Sequence, residues 1–176
     1  KKQYAKNPRR FFYPDQYGND DNWRAHYLST GPEIWEETRG RVTHFVATVG
    51  TGGTLMGTGR FLKGKNPRIR VIAVEPDSPF HGLEGMKHME SSIVPKIYDR
   101  HFPDETIFVS TESAHKAILK TARHEGLLIG LSSGAALAAA ERVATGLKKD
   151  KKTGVIVTVF PDNADKYLTE RFWKEN

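Results

Sequence analysis

The sequence predicts an α/β fold, an open and mostly parallel sheet with helices on both faces. Three observations lead there. Short apolar segments alternate with helical ones along most of the 176 residues. The apolar segments are hydrophobic at successive positions, as in Phe45-Val46-Ala47 and Val71-Ile72-Ala73-Val74, which is the pattern of strands covered on both sides. Two of the strand-to-helix junctions are rich in glycine, serine and threonine, the residue types that turn a chain sharply and cap a helix.

Taken in order, Arg9 to Asn22 is rich in Pro, Asp, Asn and aromatics and reads as an ordered loop. Trp23 to Thr38 reads as helix with an interruption at Ser29-Thr30-Gly31-Pro32, where Pro32 suits the first turn of a new helix. Val42 to Val49 is a β-branched apolar run ending in glycines. Thr54 to Lys63 has helical spacing through Leu55, Met56, Phe61 and Leu62, stopped by Gly64 and Pro67. Val71 to Glu75 is the next strand, closed by Pro76, and Asp77 to Arg100 is a long irregular stretch of the kind that carries function or holds a short helix. Thr106 to Val109 fits an edge strand. Ser110-Thr111-Glu112-Ser113 supplies capping chemistry for a helix running to about Glu125. Leu127 to Gly130 reads as a short buried strand or turn, Ala135 to Leu147 as an alanine-rich helix, Val155 to Phe160 as another continuous apolar strand, and Ala164 to Trp173 as a closing helix.

Composition narrows the function classes. Hydrophobic residues make up 38% and charged residues 27%, an ordinary globular balance. No run of about eighteen apolar residues is present, and the basic start Lys1 to Lys6 is not followed by the apolar region of a signal peptide. The expectation is a cytoplasmic protein without membrane contact. The absence of cysteine excludes disulfides and thiolate metal sites. Lys plus Arg exceed Asp plus Glu by 27 to 21. The excess collects at the N-terminal stretch and at Lys148-Lys149-Asp150-Lys151-Lys152, which reads as a solvated turn before a strand. With no zinc-finger spacing and no aromatic RNA-binding consensus, nucleic acid is not expected as a partner. The seven histidines show no metal-ligand spacing, so no metal is expected.

The segment Val49-Gly50-Thr51-Gly52-Gly53-Thr54 stands between a strand and a helix. Glycines there let several backbone N–H groups converge, and the helix N-terminus adds partial positive charge, so a phosphate is the natural guest. A Walker A loop fails because Gly57 is followed by Thr58 and Gly59 where Lys and a hydroxyl residue are needed. A dinucleotide fingerprint is damaged, since Leu55 replaces its third small residue, although Glu75 stands at a plausible distance for a ribose contact. The segment Leu128-Ile129-Gly130-Leu131-Ser132-Ser133-Gly134-Ala135 repeats the arrangement in miniature. In an open parallel sheet both segments would lie at carboxyl strand ends, so Ser132 is expected to address a ligand whose phosphate rests on Gly50 to Thr54, with Pro161-Asp162-Asn163 completing the crevice.

These segments resemble a known family. Gly31-Pro32-Glu33-Ile34-Trp35, Gly50 to Thr54 and Gly130 to Ala135 occur in the order seen in cysteine synthases, the O-acetylserine sulfhydrylases among pyridoxal-phosphate enzymes of fold type II. Asn22-Trp23-Arg24-Ala25-His26-Tyr27 and Pro161 to Leu168 resemble the family's matching stretches, and His81-Gly82-Leu83-Glu84-Gly85-Met86-Lys87 is closer to the cysteine synthase B branch. The resemblance implies the large domain of the tryptophan-synthase-β-like fold and pyridoxal 5′-phosphate as cofactor. It implies that Gly50, Thr51, Gly52, Gly53 and Thr54 bind the cofactor phosphate and that Ser132 faces the pyridine nitrogen. The activity implied is β-replacement, making L-cysteine from O-acetylserine or O-phosphoserine and sulfide in a homodimer. Gly85 and Lys87 fall where that branch shapes substrate access, with Lys87 set against the leaving group. The alternative is a non-catalytic phosphate- or dinucleotide-binding module.

The family's Schiff-base lysine, in a Ser-x-Lys-Asp-Arg-type motif, has no counterpart here, so no catalytic residue is assigned within this chain. Residues 1–176 therefore look like the C-terminal part of the large cofactor-binding domain, with the small N-terminal domain outside the chain and the missing half expected as its partner.

Overall fold

The computed structural model describes residues 1–174 and shows why the apolar runs are continuous. Strands β1 (His44–Thr48), β2 (Arg70–Pro76), β3 (Glu105–Val109) and β4 (Ile156–Thr158) form one parallel sheet in the order β3-β2-β1-β4. In the register of the inner pair, Phe45 lies beside Val71 and Val46 beside Ile72. Successive side chains point to opposite faces. Phe45, Ala47, Val71 and Ala73 enter one core with Leu55, Met56 and Leu62, while Val46, Ile72 and Val74 enter a second core with Ala114, Ala117, Ala135 and Ala139. Both faces are apolar because both are covered.

Helices α1 (Lys2–Lys6), α2 (Asp21–Leu28), α3 (Thr30–Glu37) and α4 (Gly53–Lys65) come from the first part of the chain; α5 (Thr111–Glu125) and α6 (Leu131–Lys149) follow β3. The expected helical break falls at Ser29, and Pro32 lies in the first turn of α3, where its missing N–H leaves no bond unmade. Ser110 caps α5 by accepting the N–H of Ser113 at 3.1 Å. The stretch from Asp77 to Arg100 holds no helix or strand, but it is anchored by burial of Leu83, Met89 and Tyr98.

Four expectations are corrected. Helix α6 begins at Leu131 rather than Ala135, because Gly130 already accepts the first helical bond from the N–H of Gly134 at 3.0 Å. Leu127 and Leu128 are 52% and 51% exposed, so only Ile129 of that short segment is buried, and it forms a single antiparallel bridge to Asn163. The strand expected over Val155 to Phe160 shrinks to Ile156–Thr158 and is half-buried; within the described residues it is an edge that pairs with β1 alone. The closing segment forms two 3₁₀ turns, Ala164–Tyr167 and Arg171–Trp173, instead of an α-helix. There the carbonyl of Tyr167 accepts the N–H of Glu170 at 3.0 Å and the indole N–H of Trp173 at 2.9 Å, while Tyr167 and Phe172 are drawn into a third core beside Ile118.

Helices α2 and α4 pack closely through glycine. A Cβ on Gly57 would run into the carbonyl oxygen of Trp23, and one on Gly53 into the side-chain oxygen of Asn22. Arg60 over the Trp23 ring at 4.4 Å and the edge-on Tyr27–Phe61 pair at 5.6 Å extend the contact. Gly64, further along α4, has open space around it. In a helix interior, glycine to alanine is intrinsically favourable by about 0.5–1 kcal/mol, so sterics decide the sign. Gly64→Ala is expected to raise the urea unfolding free energy by about that amount. Gly57→Ala is expected to lower it by about 1–3 kcal/mol through overpacking.

Candidate functional site

Beyond β1 the chain turns at Gly50 and Thr51, passes through Gly52 at φ +87°, and enters α4. Gly52 serves two needs at once: the left-handed backbone, and the 2.9 Å that would separate a Cβ from the Tyr98 side chain. The first turn of α4 carries no acidic residue, and its N-cap, Gly52, has no side chain to cap it. Thr51 accepts the N–H of Gly53 at 3.2 Å and the amide of Asn22 at 3.1 Å, and the hydroxyl of Thr54 pairs with Nε2 of His26 at 3.2 Å.

The second segment comes to the same place. Gly130 is the N-cap of α6, Ser132 lies in its first turn, and again no acidic residue or side-chain cap is present. The N–H of Gly130 donates to the carbonyl of Asp162 at 3.0 Å, and the N–H of Ala164 donates to the carbonyl of Leu128 at 3.0 Å. These bonds tie residues 161–164 to the start of α6.

A cleft of about 450 Å³ lies between these elements. It is lined by Gly50, Thr51, Gly52, Gly53 and Thr54 on one side, by Ser132, Pro161 and Asp162 on another, and by Glu84 and Gly85 on a third. The structure thus brings together Gly50 to Thr54, Gly85, Ser132, Pro161 and Asp162, while Asn163, Glu75 and Lys87 lie outside the lining. The backbone N–H of Lys87 reaches the carbonyl of Val49 at 2.9 Å, yet its ammonium lies 5.1 Å from the Tyr17 ring centre, in a neighbouring cavity with Asp15 and Lys96. The ammonium thus lies against the aromatic face of Tyr17, outside the lining of the cleft. Glu75 is also placed differently from a ribose ligand. Its buried carboxylate accepts the N–H of Met89 at 3.0 Å and so holds the irregular segment, leaving the dinucleotide alternative without its anchor.

Residues missed by the sequence reasoning are Thr48, Glu84, Lys166 and Tyr167. Asp162 with Lys166 four residues on was a visible signal, and the structure pairs them at 3.4 Å. Tyr167 donates to the same Asp162 oxygen at 2.9 Å, whereas the other oxygen, Oδ1, is buried and has no hydrogen-bond partner. Burial, reinforced by the bond to Asp162, pushes the Tyr167 phenol up to about 12; burial and then the Glu75 charge push Tyr98 to about 12 as well. Among the described residues no group of three His, Asp or Glu side chains is placed to hold a metal ion, and no helix is long and apolar enough to cross a membrane.

The arrangement can hold a phosphate: the N-termini of two helices, 13 and 19 residues long and without acidic residues in their first turns, open onto one cleft with hydroxyls from Thr51, Thr54 and Ser132. Residues 1–162 match the sequence model of the pyridoxal-phosphate dependent enzyme family. The chain belongs to that family. Among its relatives, the chain is 55% identical over 170 residues to a cysteine synthase of Aquifex aeolicus, covering 97% of this chain and 52% of the relative. It is 39% identical over 155 residues to cysteine synthase B of Pseudomonas aeruginosa, covering 88% of this chain and 50% of the relative. The crystal structure of O-acetyl serine sulfhydrylase isoform 3 from Entamoeba histolytica superposes with a TM-score of 0.88 at 34% identity, over 98% of this chain and 52% of that one. This family member therefore spans about half the length of the relatives it matches.

The two raised phenols give a pH signature. A phenol whose folded pKa of about 12 exceeds its unfolded value near 10 contributes its full stability below pH 10 and loses it as the pH climbs through 12. Urea unfolding between pH 9 and 12 is expected to show a falling midpoint over that window. The decline should be shallower in Tyr167→Phe, which at pH 7 loses about 1–3 kcal/mol because an Asp162 oxygen loses its phenol donor.

Proposed function

We propose that residues 1–176 form the part of a pyridoxal-phosphate-dependent cysteine synthase that holds the cofactor's phosphate and ring. They are the C-terminal part of its large domain, and the remaining half supplies the lysine that carries the cofactor covalently. The observation that carries this reading is the meeting of the Gly50–Thr54 turn and Ser132 in one cleft at two helix N-termini free of acidic caps.

The residues fit the group chemically. The N–H groups of the turn and the hydroxyls of Thr51 and Thr54 are donors, as a phosphate dianion requires. Ser132 presents a neutral hydroxyl to the ring nitrogen. A hydroxyl cannot hold that nitrogen protonated as a carboxylate does. When bound, the cofactor supplies an electron sink of moderate strength, which suits replacement of a β-substituent on an amino acid. The proposed reaction is formation of L-cysteine from an activated serine, O-acetylserine or O-phosphoserine, with sulfide as nucleophile. Gly85 narrows the substrate side of the cleft with backbone alone, at φ +85°. Lys166, the lysine that lines the cleft, is exposed and paired with Asp162, so it lacks the desolvated setting of a nucleophilic amine and is not assigned the covalent role.

Borohydride reduction tests this reading. The purified full-length protein is expected to show a visible band that shifts on reduction, with the label retained after denaturation on one lysine outside residues 1–176. Label on Lys166 would overturn the division of labour proposed here. Absence of a band after addition of pyridoxal phosphate would overturn the cofactor assignment itself.

A further inference from the structure

Helix α2 touches the glycine turn twice, from one face. Asn22 and His26 stand four residues apart, one helical turn, and each reaches one threonine of the turn. The contact is possible because Gly53 and Gly57, also one turn apart, leave no Cβ between α4 and α2.

These bonds fix the direction in which the hydroxyls can act. Thr51 Oγ1 accepts from both Asn22 Nδ2 and the N–H of Gly53, at 3.1 and 3.2 Å. A hydroxyl has two lone pairs and one proton, so with both lone pairs engaged its remaining capacity is to donate, and Thr51 lines the cleft. Asn22 is held in this role by its second amide bond, to the carbonyl of Gln16 at 2.7 Å.

For Thr54 the direction depends on His26. Its Nε2 faces Thr54 Oγ1 at 3.2 Å, and its Nδ1 faces Thr30 Oγ1 at 3.0 Å. Burial lowers the His26 pKa below its ordinary value, so the ring is neutral at pH 7 and carries a single N–H. If Thr30 donates to Nδ1, the proton lies on Nε2, Thr54 accepts it, and the Thr54 O–H is free toward the cleft. The opposite tautomer uses up the Thr54 proton on the ring and turns a lone pair toward any bound anion.

We propose that α2 is a positioning element for the phosphate site, with Asn22 and the Thr30–His26 relay holding Thr51 and Thr54 as acceptors so that both hydroxyl protons face the phosphate. This rests on the reading of the Gly50–Thr54 turn as a phosphate site. It assigns His26 and Thr30 roles although neither lines the cleft.

Two measurements on cofactor-stripped full-length protein test it. The first is the ratio of affinities for pyridoxal phosphate and for pyridoxal, which lacks the phosphate. Thr30→Val, isosteric and outside the cleft, and His26→Leu are expected to weaken pyridoxal phosphate about five- to tenfold, the effect of one lost hydrogen bond to an anion, and to leave pyridoxal unchanged. His26→Gln, whose amide N–H replaces Nε2–H, is expected to restore most of the loss. The second is the ¹⁵N spectrum of the histidines with pyridoxal phosphate bound, in which His26 is expected as the Nε2–H tautomer. An unchanged ratio in Thr30→Val, or an Nδ1–H tautomer, overturns the relay while leaving the phosphate site intact. A wild-type protein that binds both ligands equally removes the phosphate site and the relay with it.

Discussion

A strand buried on both faces meets solvent only at its ends, and that constraint organises this protein. Phe45, Val46, Val71 and Ile72 are each 0–1% exposed, so the two inner strands offer no chemistry along their length. Parallel pairing then puts the carboxyl ends of the strands on one side of the sheet, with the following helices starting there. The turn after β1 opens at that edge, and the backbone bonds of residues 128–130 to the segment that follows β4 bring the start of α6 to it.

Once the two helix starts are adjacent, electrostatics selects the guest. Neither α4 nor α6 has an acidic residue in its first turn, so their exposed N–H groups and partial positive charge stay available in the cleft. One oxygen of Asp162, Oδ2, is taken up by Tyr167 and Lys166, while Oδ1 lies against Gly130. The family's cofactor carries a phosphate, and the cleft offers backbone N–H groups at the two helix starts together with the hydroxyls of Thr51, Thr54 and Ser132.

The parts that could be read from the sequence are those whose cause is local or repeated. Two-sided burial writes itself as consecutive apolar residues, so β1 and β2 were legible; Pro32 in α3 and the Ser110 cap of α5 follow from backbone chemistry within one turn. The misread parts depend on partners distant along the chain. Ser132-Ser133-Gly134 looks like a cap before Ala135, but Gly130 and Asp162 already hold that segment in helix. Tyr167 and Phe172 look like one face of a helix, yet each is pulled into the core beside α5 and the chain between them kinks into 3₁₀ turns. The position of the Lys87 ammonium, by the Tyr17 ring, likewise depends on a part of the chain distant in sequence. The four-residue spacing of Asn22 and His26 is visible in the sequence, but nothing local distinguishes it from the exposed face of any short helix.

The two sides of the cleft differ in how they are fastened. Residues 128–133 and 161–164 are joined by the two backbone hydrogen bonds that make up the Ile129–Asn163 bridge and by the Ser133 hydroxyl on the Asp162 carbonyl, so they form one bonded plate. Near Gly85 the opposite side is carried by an irregular segment tied to β1's end by the backbone bond of Lys87 to Val49 and by the close approach of the Gly85 carbonyl to Gly50, with open space only where a Gly85 side chain would stand. Free energies of local opening scale with the bonds and buried surface given up. Opening the Ser132 side would break a pair of bonded loops, and opening the Gly85 side would expose the buried Leu83 and Met86, so the cleft keeps its shape on both sides.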